Sequence, residues 1–179
     1  KILDSSVAMG LTAEQGAKLF GTLMKTAGLT ADQAENLAEG TYQLAVANNV
    51  NPAAAMEQLA ESSELFATYS KEGGKNIAQA AVQATKLGIS LSSLSQISDS
   101  LLDFQTSLNS EIETGIILGR NINLQKAREL ALVDDMTGMM DAVLEQLGGQ
   151  AEWNELLGYQ RKALASALGT DVATMAKLV

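Results

Sequence analysis

The sequence predicts an all-α fold of about nine helices joined by short glycine-containing turns, with one long central helix of coiled-coil character. The 179 residues include a single proline and are rich in alanine, leucine and glutamine, which favour helix. Apolar residues recur at helical spacing, and no segment sustains the period-two alternation of a strand. Glycine, an apolar residue and threonine repeatedly follow one another, as at a helix end and the next helix start.

Near-identical junctions precede the first two predicted helices: GLTAEQ at residues 10–15 and GLTADQ at residues 28–33. In each, glycine can end a helix, threonine can cap the next one, and glutamine three residues later completes a capping box. The pattern is more typical of a helix junction than of a duplication. Helices are predicted over about 12–27 and 30–48. A third begins at Asn51 and Pro52 and ends before a loop at residues 71–75.

A fourth helix is predicted over about 75–87, and Gly88 separates it from the long helix, which runs to Gly119. About 28 residues make the long helix roughly 42 Å long. Its apolar residues are spaced 3, 4, 3 and 4 apart, which is a heptad seam over two repeats. The next apolar residue lies one position beyond the one that the heptad repeat requires, so the seam drifts around the helix. Two heptads do not separate such a seam from an ordinary core helix. The predicted self-association residues are Leu94, Ile97, Leu101, Phe104, Leu108 and Ile112.

Four shorter helices are predicted beyond the long one. They begin at Asn121 or Asn123, at Asp134, at about residue 151 and after Gly169-Thr170, and Gly158 is a weak point in the third of them. Met136, Met139, Met140 and Trp153 are expected to pack in a core rather than to form a docking surface. The predicted segments are residues 1–72, 73–120 and 121–179, which can together form one domain.

The formal net charge of −9 is spread along the chain without a basic stripe. Direct nucleic-acid binding through phosphates is therefore not expected. No apolar run approaches the length that spans a bilayer, and no polybasic helix suggests a membrane surface.

The chain contains no histidine and no cysteine. It therefore lacks the commonest general base, the usual triad partner and the commonest zinc ligands. Asp99 and Asp103 lie one turn apart, but without further ligands a solvated acidic face is the better interpretation. We predict no catalytic residue, metal site or cofactor, and we do not expect an enzyme.

Residues 88–178 resemble a segment of the tail tape measure proteins of tailed bacteriophages. The similar pieces are GISLSSLSQISDSLLDFQTSLNSEIE, LGRNINLQKARELALVDD and AEWNELLGYQRKALASALGTDVATMAKL. Residues before Gly88 resemble the family more loosely, through alanine-rich helices joined by GLT. None of these pieces is a catalytic or ligand motif, so no enzymatic residue is carried over.

The resemblance implies a helical protein that is packed in several copies inside the tail tube. It implies that the protein sets tail length, leaves ahead of the DNA at infection and contacts tail tube and tail tip or baseplate proteins. The location would be the tail lumen of the virion. Because the chain begins at Lys1, we expect a fragment or processed product. The alternative is a soluble all-α bacterial binding or adaptor module, which would be a compact monomer rather than a homo-oligomer.

Overall fold

The computed structural model describes residues 2–179, with side chains from residue 5 onward, and this part of the chain is all-helical without strands. The chain divides into two compact units whose boundary falls between Ser92 and Ser93. The predicted segment boundaries near residues 72 and 120 stay predictions.

Unit 1 is built around α4, which packs against α2, α3 and α6. Its core contains the fully buried side chains of Leu19, Leu23, Met56, Leu59 and Ile77. Alanines between these residues let the helices approach closely. The helices are α1 (Ile2–Ala8), α2 (Ala13–Lys25), α3 (Ala31–Ala47), α4 (Pro52–Glu61), α5 (Ser63–Tyr69) and α6 (Lys75–Leu87), with a 3-10 turn at Glu72–Gly74.

The predicted helix starts of unit 1 are confirmed. The backbone N–H of Gln15 donates to Thr12 Oγ1 at 3.2 Å, and the N–H of Thr12 donates to Gln15 Oε1 at 3.0 Å. The same capping box begins α3. Asn51 Oδ1 accepts from the N–H of Ala53 at 3.0 Å, with Pro52 in the first helical turn. These caps satisfy N–H groups that have no partner within the helix.

Unit 2 contains most of α7 and the six helices that follow it. Here α8 packs against α12, α9 against α10, and α12 against α13. The methionines of α10 and Trp153 are buried, so their predicted core role is confirmed. The helices are α7 (Leu91–Leu102), α8 (Phe104–Leu118), α9 (Gln125–Leu132), α10 (Met136–Leu147), α11 (Gln150–Glu155), α12 (Gly158–Ala167) and α13 (Val172–Leu178).

Two helices, α7 and α8, take the place of the single long helix that the sequence predicts. They are separated at Asp103, whose ψ of 78° is not helical. Asp103 Oδ2 accepts from Thr106 Oγ1 at 2.8 Å, and its other carboxylate oxygen accepts from the Thr106 N–H. Aspartate therefore begins a new helix instead of lying on the outer face of an unbroken one. The two helices are bounded by Gly88 and Gly119, both with the positive φ that glycine adopts without strain.

The described residues form thirteen α-helices where about nine were predicted. One additional helix is α1, and the other three arise from breaks near Ser62, Asp103 and Leu157. At Ser62 the hydroxyl donates to the carbonyl of Gln58. At Leu157 the backbone is extended, and its N–H donates to Gln160 Oε1 at 2.9 Å. The bonds at Asp103 and Leu157 engage backbone N–H groups that a continuous helix would pair internally, whereas a bond like that of Ser62 also occurs within the unbroken α3.

Candidate self-association site

The break at Asp103 divides the predicted self-association residues into two groups. Leu94, Ile97 and Leu101 lie on α7 and are fully buried within the single chain. Phe104, Leu108 and Ile112 lie on α8 and are exposed. Because a buried side chain cannot meet a second copy without local opening, only the α8 residues are accessible in the folded chain.

Four of the five exposed apolar residues of α8 form a stripe with a regular spacing of four. Phe104, Leu108, Ile112 and Ile116 have exposed fractions of 44%, 45%, 62% and 76%. These four residues are called the α8 stripe below. Single exposed apolar residues are ordinary, whereas a row of four large ones on one helix is a candidate interaction surface.

The side of α8 that faces into unit 2 is polar. Ser107 and Thr114 are buried there, and Glu111 is largely buried between them. Thr114 Oγ1 donates to the carbonyl of Ala163 on α12 at 3.2 Å. The helix therefore reverses the usual arrangement, in which the apolar face of a surface helix turns toward the core.

A buried ion pair fixes this orientation of α8. Arg128 Nη2 lies 2.8 Å from Glu111 Oε2, and the two side chains are only 7% and 14% exposed. Arg128 Nη1 also donates to Ser107 Oγ at 3.0 Å. The same Glu111 oxygen accepts from the N–H of Leu124 at 2.9 Å, just before α9 begins. Rotation of α8 to bury its stripe would leave both charges without partners in a desolvated site, which is strongly unfavourable.

An open hollow of about 400 Å³ lies beside the C-terminal part of the α8 stripe. The hollow is lined by Glu111, Ile112, Gly115, Ile116, Gly119, Arg120, Asn121 and Ile122. A Cβ atom on Gly115 would lie 3.2 Å from the carbonyl oxygen of Arg120, so this position has little space for a larger residue. The stripe therefore ends at a recess that can receive a side chain.

Unit 1 has a separate groove of about 520 Å³ beside α3 and α6. Leu37 and Leu44 of α3 and Ala78 of α6 supply apolar lining, and Gln33 and Lys75 are among its polar residues. Its size lies in the range of ligand sites, but it brings together no constellation of catalytic side chains.

The described residues contain no group of three or more His, Cys, Asp or Glu side chains that could hold a metal ion. Asp171 has a pKa below its ordinary value, chiefly because its carboxylate accepts a hydrogen bond from the backbone N–H of Thr174. This carboxylate caps α13, which is a structural role.

The sequence indicated the apolar residues of this surface but not what holds it outward. Arg128 had no distinguishing pattern, since its partner lies on another helix. Glu111 did carry a signal, because it occupies the position where the heptad seam requires an apolar residue. Ile116 also continues the spacing of four and belongs to the surface.

The chain matches no protein-family model, no curated protein and no solved structure at a significant level. Among the described residues, no helix is long and apolar enough to cross a membrane.

Proposed function

We propose that the chain is a structural segment of a phage tail tape measure protein, which associates with further copies of itself inside the tail tube. The observation that carries the assembly role is the α8 stripe, held outward by the Glu111–Arg128 pair. The tail assignment is supported by the resemblance of residues 88–178 to that family. The proposed protein sets tail length, contacts tail tube and tail tip or baseplate proteins, and leaves the tail lumen before the DNA.

In this role the chain works by packing and not by catalysis. Self-association through α8 requires no cofactor, and the proposed partners are proteins rather than nucleic acid. The sequence predicts self-association along a coiled-coil seam over α7 and α8. The contact between copies proposed here includes only the α8 residues, because Leu94, Ile97 and Leu101 are already buried in the chain's own core.

Tail length in the encoding phage tests the proposal. In-frame deletion of residues 13–87 removes α2–α6 and leaves α7 and α8 in place. We expect shorter tails in electron micrographs, by at most about 110 Å, because a helix rises about 1.5 Å per residue. A synonymously recoded gene is the control. Tails of unchanged length after the deletion would contradict the assignment.

The second candidate is an all-α binding or adaptor module, which the groove of unit 1 favours. Gly40 lines this groove, and a Cβ atom there would meet no atom within 4 Å. A Gly40→Leu variant therefore places its Cβ atom in open space at the wall of the groove. If the chain is an adaptor module, we expect a monomer in sedimentation and a loss of apolar dye binding in Gly40→Leu. If it is a tail segment, we expect an oligomer and a loss of dye binding in Ile112→Asp.

A further inference from the structure

We infer that the α8 stripe packs against the α8 stripe of a second copy in an antiparallel, two-fold symmetric pair, with Phe104 of each copy seated in the hollow of the other. This inference deepens the proposed function and rests on it for the choice of a second copy as the occupant. The orientation and register follow from the shape of α8.

The spacing of the stripe makes it complementary to itself. In an antiparallel pair centred between Leu108 and Ile112, Leu108 of one copy meets Ile112 of the other, and Phe104 meets Ile116. Each contact then occurs twice, as a two-fold interface requires. The stripe extends over twelve residues, or about 18 Å, so all four residues of each copy take part.

The two ends of the stripe differ in shape in a way that favours this orientation. Phe104 projects a large ring at the N-terminal end, and the hollow beside Ile112, Gly115, Ile116 and Gly119 lies at the C-terminal end. An antiparallel pair places each ring over a hollow. A parallel pair would place ring against ring and hollow against hollow, which leaves unfilled space and loses packing contacts.

A spacing of four also determines the angle between the helices. Rows of residues four apart run obliquely to the helix axis, and two such rows align when the axes cross at about 50°. A coiled coil instead uses spacings of three and four and crosses at about 20°. The exposed part of α8 therefore fits a crossed helix pair better than the coiled coil predicted for the long helix.

The area of the surface lies near the lower limit for a specific dimer. If a large apolar side chain offers about 200 Å² when fully exposed, the exposed fractions of the four stripe residues amount to roughly 450 Å² per copy and 900 Å² per pair. The polar neighbours Gln105 and Asn109 are exposed on the same helix and extend the contact. The total then approaches the roughly 1,200 Å² at which specific interfaces begin.

Cysteine cross-linking tests the register directly, because the chain has no cysteine of its own. Phe104→Cys and Ile116→Cys chains are prepared separately, mixed in equal amounts, oxidised mildly and separated by intact mass. The antiparallel pair predicts that the mixed 104–116 disulfide predominates. The control is Glu113→Cys, which follows Ile112 in sequence but is turned by about 100° around the helix and should cross-link poorly with either chain.

Sedimentation tests the surface without any cross-link. We expect the wild-type chain to dimerise at micromolar concentration and Ile112→Asp to raise the dimer Kd by about 100-fold, because a charge would be buried in the interface. The helical dichroism of Ile112→Asp should not change, since Ile112 is exposed in the single chain.

A wild-type chain that stays monomeric at about 100 µM, a concentration well above the micromolar Kd expected of the pair, would overturn the pairing. An intact dimer of Ile112→Asp would overturn it as well. Predominant 104–104 and 116–116 disulfides would overturn the antiparallel register. These outcomes are independent of tail length in the phage. Shortened tails without the 104–116 cross-link would support the tail assignment and overturn the pairing. Tails of unchanged length with the 104–116 cross-link would support the pairing and contradict the tail assignment.

Discussion

Arg128 and Lys126 lie two residues apart on α9 and form ion pairs in very different surroundings. Arg128 is bound to Glu111 and Ser107 in a site that is almost closed to water. Lys126 lies 3.5 Å from Glu145, and both of these side chains are more than half exposed. Water and salt weaken the second pair, whereas the first is desolvated and holds α8 in place.

Arg128→Ala should therefore reduce the free energy of unfolding by about 3 kcal/mol, because it leaves the Glu111 carboxylate buried without its partner. Lys126→Ala is the matched control and should reduce it by less than about 1 kcal/mol. Urea unfolding followed by dichroism measures both. Equal losses in the two variants would show that the Glu111–Arg128 pair does not hold unit 2 together.

At the scale of the helices, the leucines of α7 and α8 illustrate how one sequence pattern leads to two environments. Leu101 and Leu108 are seven residues apart and occupy equivalent positions of the predicted heptad seam. Leu101 is fully buried, and Leu108 is exposed to 45%. The difference arises at Asp103, where the chain leaves the first helix before entering the second.

Leu101→Ala should destabilise the chain by about 2–5 kcal/mol, because it leaves a cavity in a closed core. Leu108→Ala should change the unfolding free energy by less than about 0.5 kcal/mol in dilute protein, where copies do not meet. Urea unfolding of the two variants side by side provides the measurement. A charge at Leu101, as in Leu101→Asp, would unfold the monomer whether or not copies associate, so Ile112→Asp is the better probe of self-association. A similar small loss for both alanine variants would contradict the burial of α7.

The Asp103 cap should itself be measurable. Asp103→Ala removes the acceptor for Thr106 and should reduce stability by about 1 kcal/mol. Gln105→Ala, at an exposed position of the same helical turn, should change it by less than about 0.5 kcal/mol. If Asp103→Ala instead gains both helicity and stability, the two helices have fused into the long helix that the sequence first suggested.

Local sequence signals predicted the helix caps, whereas long-range contacts determined which face of α8 is exposed. Thr12, Thr30 and Asn51 act on backbone groups two or three residues away, so their caps could be read from the sequence. The Glu111–Arg128 contact joins residues on different helices, and no spacing rule brings them together. The reversed orientation of α8 depends on that contact, so the sequence indicated apolar residues without saying which of them would be exposed.

At the scale of the whole molecule, the arginines are engaged within the fold. Arg120 donates to the carbonyl of Leu147 at 3.2 Å, near the end of α10. Arg161 donates to the carbonyl of Trp153 at 3.1 Å and lies 5.3 Å from the centre of its ring. Arg128 is held in the buried ion pair. These guanidinium groups satisfy helix ends and a buried carboxylate instead of presenting a surface for phosphate.

This use of the arginines, together with the net charge of −9, leads us to expect no measurable binding of duplex DNA. Binding through phosphates requires several clustered cations that release counterions, and a negatively charged chain repels the duplex. Fluorescence anisotropy of a labelled duplex, titrated with micromolar protein at about 150 mM salt, measures this. A repeat at about 20 mM salt increases the sensitivity, since weak phosphate contacts strengthen steeply as salt is removed. Saturable binding that disappears with added salt would reveal a basic surface and would conflict with a protein that shares a channel with DNA without holding it.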